Sequence, residues 1–179
     1  MAKRDNVFLI GPMGAVKTTL GRGIAKLRGL RFVDSDQAIE ERCGVDIPYI
    51  FEREGEAGFR RREREVIAAL APGKGIVLAT GGGAVLDPEN RRHLAENGLV
   101  IYLQATVEQQ LARTRGSKHR PLLRTANPRE KLAELLAQRE PLYREIADLT
   151  VATQGRHLRR MAQQVNAAIE EYLAGLPSG

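Results

Sequence analysis

The run Val7-Phe8-Leu9-Ile10-Gly11-Pro12-Met13-Gly14-Ala15-Val16-Lys17-Thr18 decides the fold. Its first four residues are apolar without interruption, as a strand covered on both faces must be. A turn with Gly11 and Gly14 follows, and then Leu20, Ile24 and Leu27 recur at helical spacing over residues 18–30. A strand, a glycine-bearing turn and a helix N-terminus, in that order, aim backbone N–H groups at an anion. Lys17 suits the β- and γ-phosphates of a nucleotide, and the Thr18 hydroxyl suits Mg²⁺. Gly14, Ala15, Val16, Lys17, Thr18 and Thr19 are therefore the candidate phosphate-binding set. The pattern G-x-x-x-x-G-K-[ST] is met except at its second glycine, where Val16 stands. Read alone, the stretch is also compatible with an ordinary glycine-rich turn.

Outward from this junction, short apolar runs alternate with helical patterns. Strands are expected at 31–33, 76–79, 99–103 and 149–152 as well as 7–10. Helix ends are legible too. Gly44 is placed to cap a helix over 36–43, and Thr106-Val107-Glu108-Gln109 has capping-box form. Asn127-Pro128-Arg129-Glu130 opens another helix with the stripe Leu132, Leu135 and Leu136. The last helix, over 157–173, carries Leu158, Met161, Val165, Ile169 and Tyr172 on one face. Strands alternating with helices argue for a parallel α/β sandwich. The helix-rich stretch 46–70 reads as an inserted lobe.

Composition narrows the function. At 179 residues the chain fits one domain, 1–179. No apolar run approaches the roughly 20 residues of a membrane span, and the polar start has no signal-peptide apolar region. The single cysteine, Cys43, cannot form an internal disulfide. A cytoplasmic protein with no membrane partner is expected, and a monomer. The formal charge of +6 suits nucleic acid or small anions. Acids interrupt the densest basic run, Arg60-Arg61-Arg62-Glu63-Arg64, and Trp is absent, so small anions are favoured and no nucleic acid is expected. His93, His119 and His157 have no cysteine or carboxylate at metal-ligand spacing, which leaves Mg²⁺ carried with a nucleotide as the expected metal.

Read with the loop, five more segments resemble the shikimate kinases: Asp34-Ser35-Asp36, Gly58-Phe59-Arg60, Thr80-Gly81-Gly82-Gly83, Arg120-Pro121-Leu122-Leu123 and Arg139-Glu140-Pro141-Leu142-Tyr143. Their order and spacing cover about residues 7–155. The resemblance implies a P-loop fold of the nucleoside-monophosphate-kinase type: a three-layer α/β sandwich on a five-stranded parallel sheet. A substrate lobe at about 36–62 and a mobile lid at about 114–127 go with it. The implied reaction moves the γ-phosphoryl group of ATP to the shikimate 3-hydroxyl, a step in aromatic amino-acid biosynthesis. A related kinase for another hydroxy acid such as gluconate is the nearest alternative, and a nucleotide-binding protein impaired by Val16 is the next.

By the same resemblance, Asp34 holds a Mg²⁺-bound water beside Thr18. Asp36 binds the substrate hydroxyls and accepts the departing proton. Arg60 and Arg139 clamp the substrate carboxylate, for which the planar guanidinium fork is suited. Gly81 and Gly82 let the substrate approach the backbone. Arg120 folds over the phosphates with the lid, and Arg113 stacks on adenine. Taken singly these residues have plainer readings. Asp36 is equally a helix N-cap, Arg60 one charge on a solvated face, and Arg139 a cation ending a helix. The triple glycine is equally a hinge.

Overall fold

Order along the sheet is set by which runs are apolar throughout. In the computed structural model, which describes residues 5–115, 123–155 and 157–177, five strands form one sheet: β1 (Val7–Ile10), β2 (Arg31–Asp34), β3 (Ile76–Ala79), β4 (Leu99–Gln104) and β5 (Leu149–Ala152). Their order is β2-β3-β1-β4-β5 and every pairing is parallel. The wholly apolar strands β1 and β3 are buried along their length, as is β4 but for Gln104 at its end. The partly polar β2 and β5 take the edges.

Helices cover both faces. On one, α1 (Lys17–Arg28) and α7 (Leu158–Ala174) bring Leu20, Ile24, Val165 and Ile169 onto Leu9 and Ile101. On the other, Ile67 of α3 (Ile47–Leu70), Leu94 of α4 (Pro88–Asn97) and Tyr143 of α6 (Pro128–Ile146) meet Phe8, Ile10 and Tyr102. Each such buried side chain contributes roughly 1.5–3 kcal/mol. Two residues expected on apolar stripes stand outside: Leu27 is 49% exposed and Leu158 37%. They lie in the last turn of α1 and at the first residue of α7. No helix among the described residues is long and apolar enough to cross a membrane.

The expected caps are present where they are local. Gly44 ends α2 (Ser35–Cys43) in the left-handed conformation, and Thr106 and Gln109 form the full capping box of α5 (Val107–Thr114). Asn127 accepts from the Glu130 N–H to open α6. In α3, Gly55 breaks the helix at φ 71°, so its first part turns to pack Ile47 and Ile50 on Ile39, Phe59 and Val66. This small cluster lies beside α2, apart from the sheet core.

Between β1 and its neighbours the chain reverses its direction of travel across the sheet, and the carboxyl ends of β1, β2 and β3 lie side by side. Open α/β sheets bind ligands at such a point. The three loops that leave it are 11–16, the start of α2, and 80–83.

Candidate active site

A cavity of about 630 Å³ opens there, walled by the loop after β1, by Asp34 and Asp36, by Thr80 to Gly82 and by Arg113. The loop is tightly seated. A side chain at Gly14 would stand 2.9 Å from the Gln110 backbone, and one at Gly11 would run into the Leu103 carbonyl. Ala15 is fully buried in the core, while Thr18 and Thr19 are exposed toward the cavity. Lys17 is 9% exposed, and its ammonium donates to the carbonyls of Gly11 at 2.7 Å and Pro12 at 2.8 Å. The charge is thereby folded back over the mouth of its own loop.

Val16 sits at φ 54°, ψ 32°, and is the one non-glycine residue with positive φ among the described residues. The loop has thus kept a left-handed shape at a β-branched residue, the type least suited to it. Its side chain packs on the core behind α1. Of the two ways this position could respond to losing its glycine, strain or collapse, the structure has taken strain.

The carboxylate of Asp34 does two jobs. One oxygen accepts the N–H groups of Asp36 and Gln37 at 2.9 and 3.1 Å, capping α2. The other accepts the Thr18 hydroxyl at 2.6 Å. The cap is therefore Asp34 and not Asp36, because the helix starts at Ser35, earlier than the sequence pattern suggests. Asp36 lies in the first turn and its side chain lines the cavity. Among the described residues no group of three or more His, Cys, Asp or Glu could cage a metal. Mg²⁺ at phosphates needs only one or two protein oxygens, with waters and phosphate supplying the rest. The hard oxygens of Thr18 and Asp34 fit that demand.

The glycine turn explains itself by crowding. Gly81 O accepts from the Ala84 N–H at 3.1 Å, closing the turn, and the Gly81 N–H donates to Ser35 Oγ at 3.2 Å. None of Gly81, Gly82 or Gly83 has positive φ, so the backbone shape does not demand glycine. Space does. A Cβ on Gly81 would stand 2.8 Å from Asp36 Oδ1 and 3.0 Å from Glu63 Oε2. On Gly82 it would stand 3.4 Å from Arg139 Nη1, and on Gly83 it would run into the Arg60 guanidinium. Four charged side chains, two acids and two arginines, ring one bare turn. A hinge would need no such ring.

Arg60 is no solvated surface charge. It donates to Glu63 at 3.0 Å and Glu56 at 3.3 Å with its side chain 17% exposed, whereas Arg61 is 62% and Arg64 54% exposed. Arg62 is bound by both oxygens of Glu54, and Arg64 by Asp87. Arg139 does not end a helix: α6 passes through Pro141 and continues to Ile146. An interior proline loses a backbone bond and crowds the turn before it. Here the Tyr143 ring, buried and 4.9 Å from the Tyr102 ring, holds the last turns in place. Arg139 is 3% exposed, and burial, with Arg60 nearby, lowers its pKa. Neither arginine walls the 630 Å³ cavity itself. They stand behind the glycine turn.

Arg113 donates to Gly14 O at 2.9 Å, to Thr153 Oγ1 at 3.0 Å and to Thr153 O at 2.7 Å. It joins the loop after β1 to the loop after β5 and lines the cavity. Arg120, and residues 116–122 of the expected lid, lie outside the described residues.

Sequence reading missed Glu63, hidden among arginines. It is 1% exposed, and burial pushes its carboxyl up to about 7, against the pull of Arg60 and with help from the Asp36 charge. Between the ordinary value of 4.5 and about 7 the folded state binds a proton that the unfolded state has lost. Stability carried by that proton is complete below about 4.5 and lost as pH rises through about 7. Thermal unfolding of wild type and Glu63→Gln at pH 5, 6, 7 and 8 checks this. The wild-type Tm should fall relative to the variant across that range, and a gap independent of pH would contradict it.

Known proteins resemble this chain closely. The family model described as shikimate kinase matches residues 13–170. A shikimate kinase of Methylococcus capsulatus is 61% identical over 162 residues, 90% of each chain. The structure of shikimate kinase from Acinetobacter baumannii in complex with shikimate superposes with a TM-score of 0.93 at 48% identity, over 97% of this chain and 96% of that one. A gluconokinase from Sinorhizobium meliloti reaches only 15% identity and a TM-score of 0.57 over 97% of this chain and 98% of that one, a likeness of fold alone. Sequence match and shape agree along nearly the whole length, and the chain belongs to the shikimate kinase family.

Proposed function

We propose that the enzyme transfers the γ-phosphoryl group of ATP to the 3-hydroxyl of shikimate, giving shikimate 3-phosphate and ADP. The observation that carries this reading is the ring of Asp36, Glu63, Arg60 and Arg139 around Gly81–Gly83, next to a phosphate-binding loop. A ligand with hydroxyls at one end and a carboxylate at the other matches it. The ATP phosphates lie against the N–H groups of residues 14–19, and Lys17 leaves the Gly11 and Pro12 carbonyls to meet them. Thr18 and Asp34, the latter through a water, would hold Mg²⁺, which would neutralise charge on the phosphates. Arg113 offers its face to adenine. Arg60, Arg139 and the Gly82 backbone bind the carboxylate of shikimate and so fix the 3-hydroxyl against Asp36.

In the transfer, the hydroxyl oxygen forms a bond to the γ-phosphorus as the bond from that phosphorus to the ADP oxygen breaks. Asp36 takes the hydroxyl proton. The transition state is loose, so position and charge decide the rate. Arg120, of the expected lid, adds positive charge where it is needed. The work is that of a single kinase domain over 1–179, monomeric and cytoplasmic, with its acceptor lobe at about 36–62 and its lid at about 114–127.

A substrate panel with purified protein tests this. ADP should form with shikimate and not with gluconate; gluconate turnover at a comparable kcat/KM would overturn the assignment. The clamp has its own test. Arg60→Lys and Arg139→Lys should each raise the shikimate KM about tenfold, since a lysine cannot reproduce a charge-assisted fork worth about 1.5–3 kcal/mol. The KM for ATP should stay within about twofold. An equal loss on ATP would remove both arginines from the acceptor site.

A further inference from the structure

The Tyr143 hydroxyl is buried where hydroxyls need partners. The residue is 1% exposed, and its oxygen donates to the Gly82 carbonyl at 2.5 Å. Arg139 lies one helical turn earlier on the same face of α6, and its Nη1 stands 3.4 Å from where a Cβ on Gly82 would be. Arg139 Nε is buried with no hydrogen-bond partner among the described residues. The ring is fixed independently by Tyr102 and the core cluster around it. A phenylalanine would fill the same volume. The hydroxyl is therefore surplus to packing, and its partner belongs to the glycine turn that lines the cavity.

We propose that Tyr143 is a positioning residue for the acceptor: its hydroxyl ties the Gly82 carbonyl to α6, the helix that carries Arg139, so that the glycine turn and the carboxylate-binding arginine move as one piece. The hydroxyl does not touch substrate. It donates its proton to Gly82 O, which holds the turn at its distance from the arginine. Burial raises its pKa, so the proton stays on the oxygen as a donor through the working pH range. This inference rests on Arg139 binding the substrate carboxylate.

Four variants decide it: Tyr143→Phe, Arg139→Lys, the double variant, and Tyr102→Phe as the control. Tyr102 is also buried in this stack, but its hydroxyl donates to Glu140 at 3.1 Å, away from the turn. Tyr143→Phe should raise the shikimate KM about five- to tenfold, the scale of one lost buried hydrogen bond. It should leave the ATP KM and the kcat within about twofold. Tyr102→Phe should leave the shikimate KM within about twofold. Because Tyr143 acts through Arg139, the double variant should be no more than about twofold worse than Arg139→Lys alone. If Arg139→Lys leaves the shikimate KM unchanged, the carboxylate clamp itself fails and this inference with it. If Arg139→Lys raises that KM but Tyr143→Phe does not, only the inference fails. Effects that multiply in the double variant, or an equal rise with Tyr102→Phe, would reduce Tyr143 to a structural residue.

Discussion

Exchanging Asp36 for Asn should lower kcat by about 10²–10⁴-fold, the usual contribution of a positioned general base, while the shikimate KM moves by less than about fivefold. An amide keeps the size of the side chain and can still hydrogen-bond the 3-hydroxyl. It cannot take the proton. The geometry makes Asp36 the better base of the two neighbouring acids. It lines the cavity, whereas Glu63 is 1% exposed behind the glycine turn and bonded to Arg60. Glu63→Gln should therefore act on shikimate binding through Arg60 and leave most of kcat. Steady-state kinetics on both variants separate the roles. A kcat loss under tenfold for Asp36→Asn, or a larger one for Glu63→Gln, would move the base to Glu63.

Restoring glycine at position 16 should raise kcat/KM for ATP by about ten- to a hundredfold. Val16 holds φ 54° beside Lys17, a conformation that costs on the order of 1–3 kcal/mol for a residue with a β-branch. Core contacts of its side chain and the bond from the Leu20 N–H to its carbonyl at 3.0 Å hold it there. ATP binding asks the loop to keep this shape while Lys17 changes partners, so a valine that drives the backbone toward negative φ works against the bound state. Glycine has no such preference. Shikimate affinity measured without nucleotide should stay within about twofold. The strain also predicts a gain in thermal stability for the glycine variant, offset in part by the backbone freedom glycine adds to the unfolded chain. An unchanged kcat/KM for ATP would show that the strained loop is already ready for phosphate.

What could be read from sequence was what neighbours along the chain decide. The apolar runs of β1 and β3, the capping box at Thr106 and the glycine cap at Gly44 each depend on a few adjacent residues, and all are present. The glycine-bearing turn between β1 and α1 was legible for the same reason, down to the departure at Val16. What escaped depends on residues distant in sequence. Glu63 reads as one acid in a basic run until Gly81, from another loop, places it against Asp36. Arg139 looked like a helix end, but α6 runs on through Pro141 to Ile146, where Tyr143 packs on Tyr102 of β4. The capping role fell to Asp34 because α2 begins at Ser35, while its second carboxylate oxygen accepts the Thr18 hydroxyl from α1.

The most direct test of the account is to identify the product. Purified protein, ATP, Mg²⁺ and shikimate should be followed by phosphorus-31 NMR, with a parallel reaction containing chelator in place of Mg²⁺. The expected result is loss of the ATP γ-resonance, matched mole for mole by ADP and by one phosphate monoester that couples to the proton at carbon 3 of shikimate, with no conversion in chelator. ADP accompanied by inorganic phosphate alone, or a monoester on a different hydroxyl, would contradict the assignment of Asp36, Arg60 and Arg139 to holding the 3-hydroxyl in line.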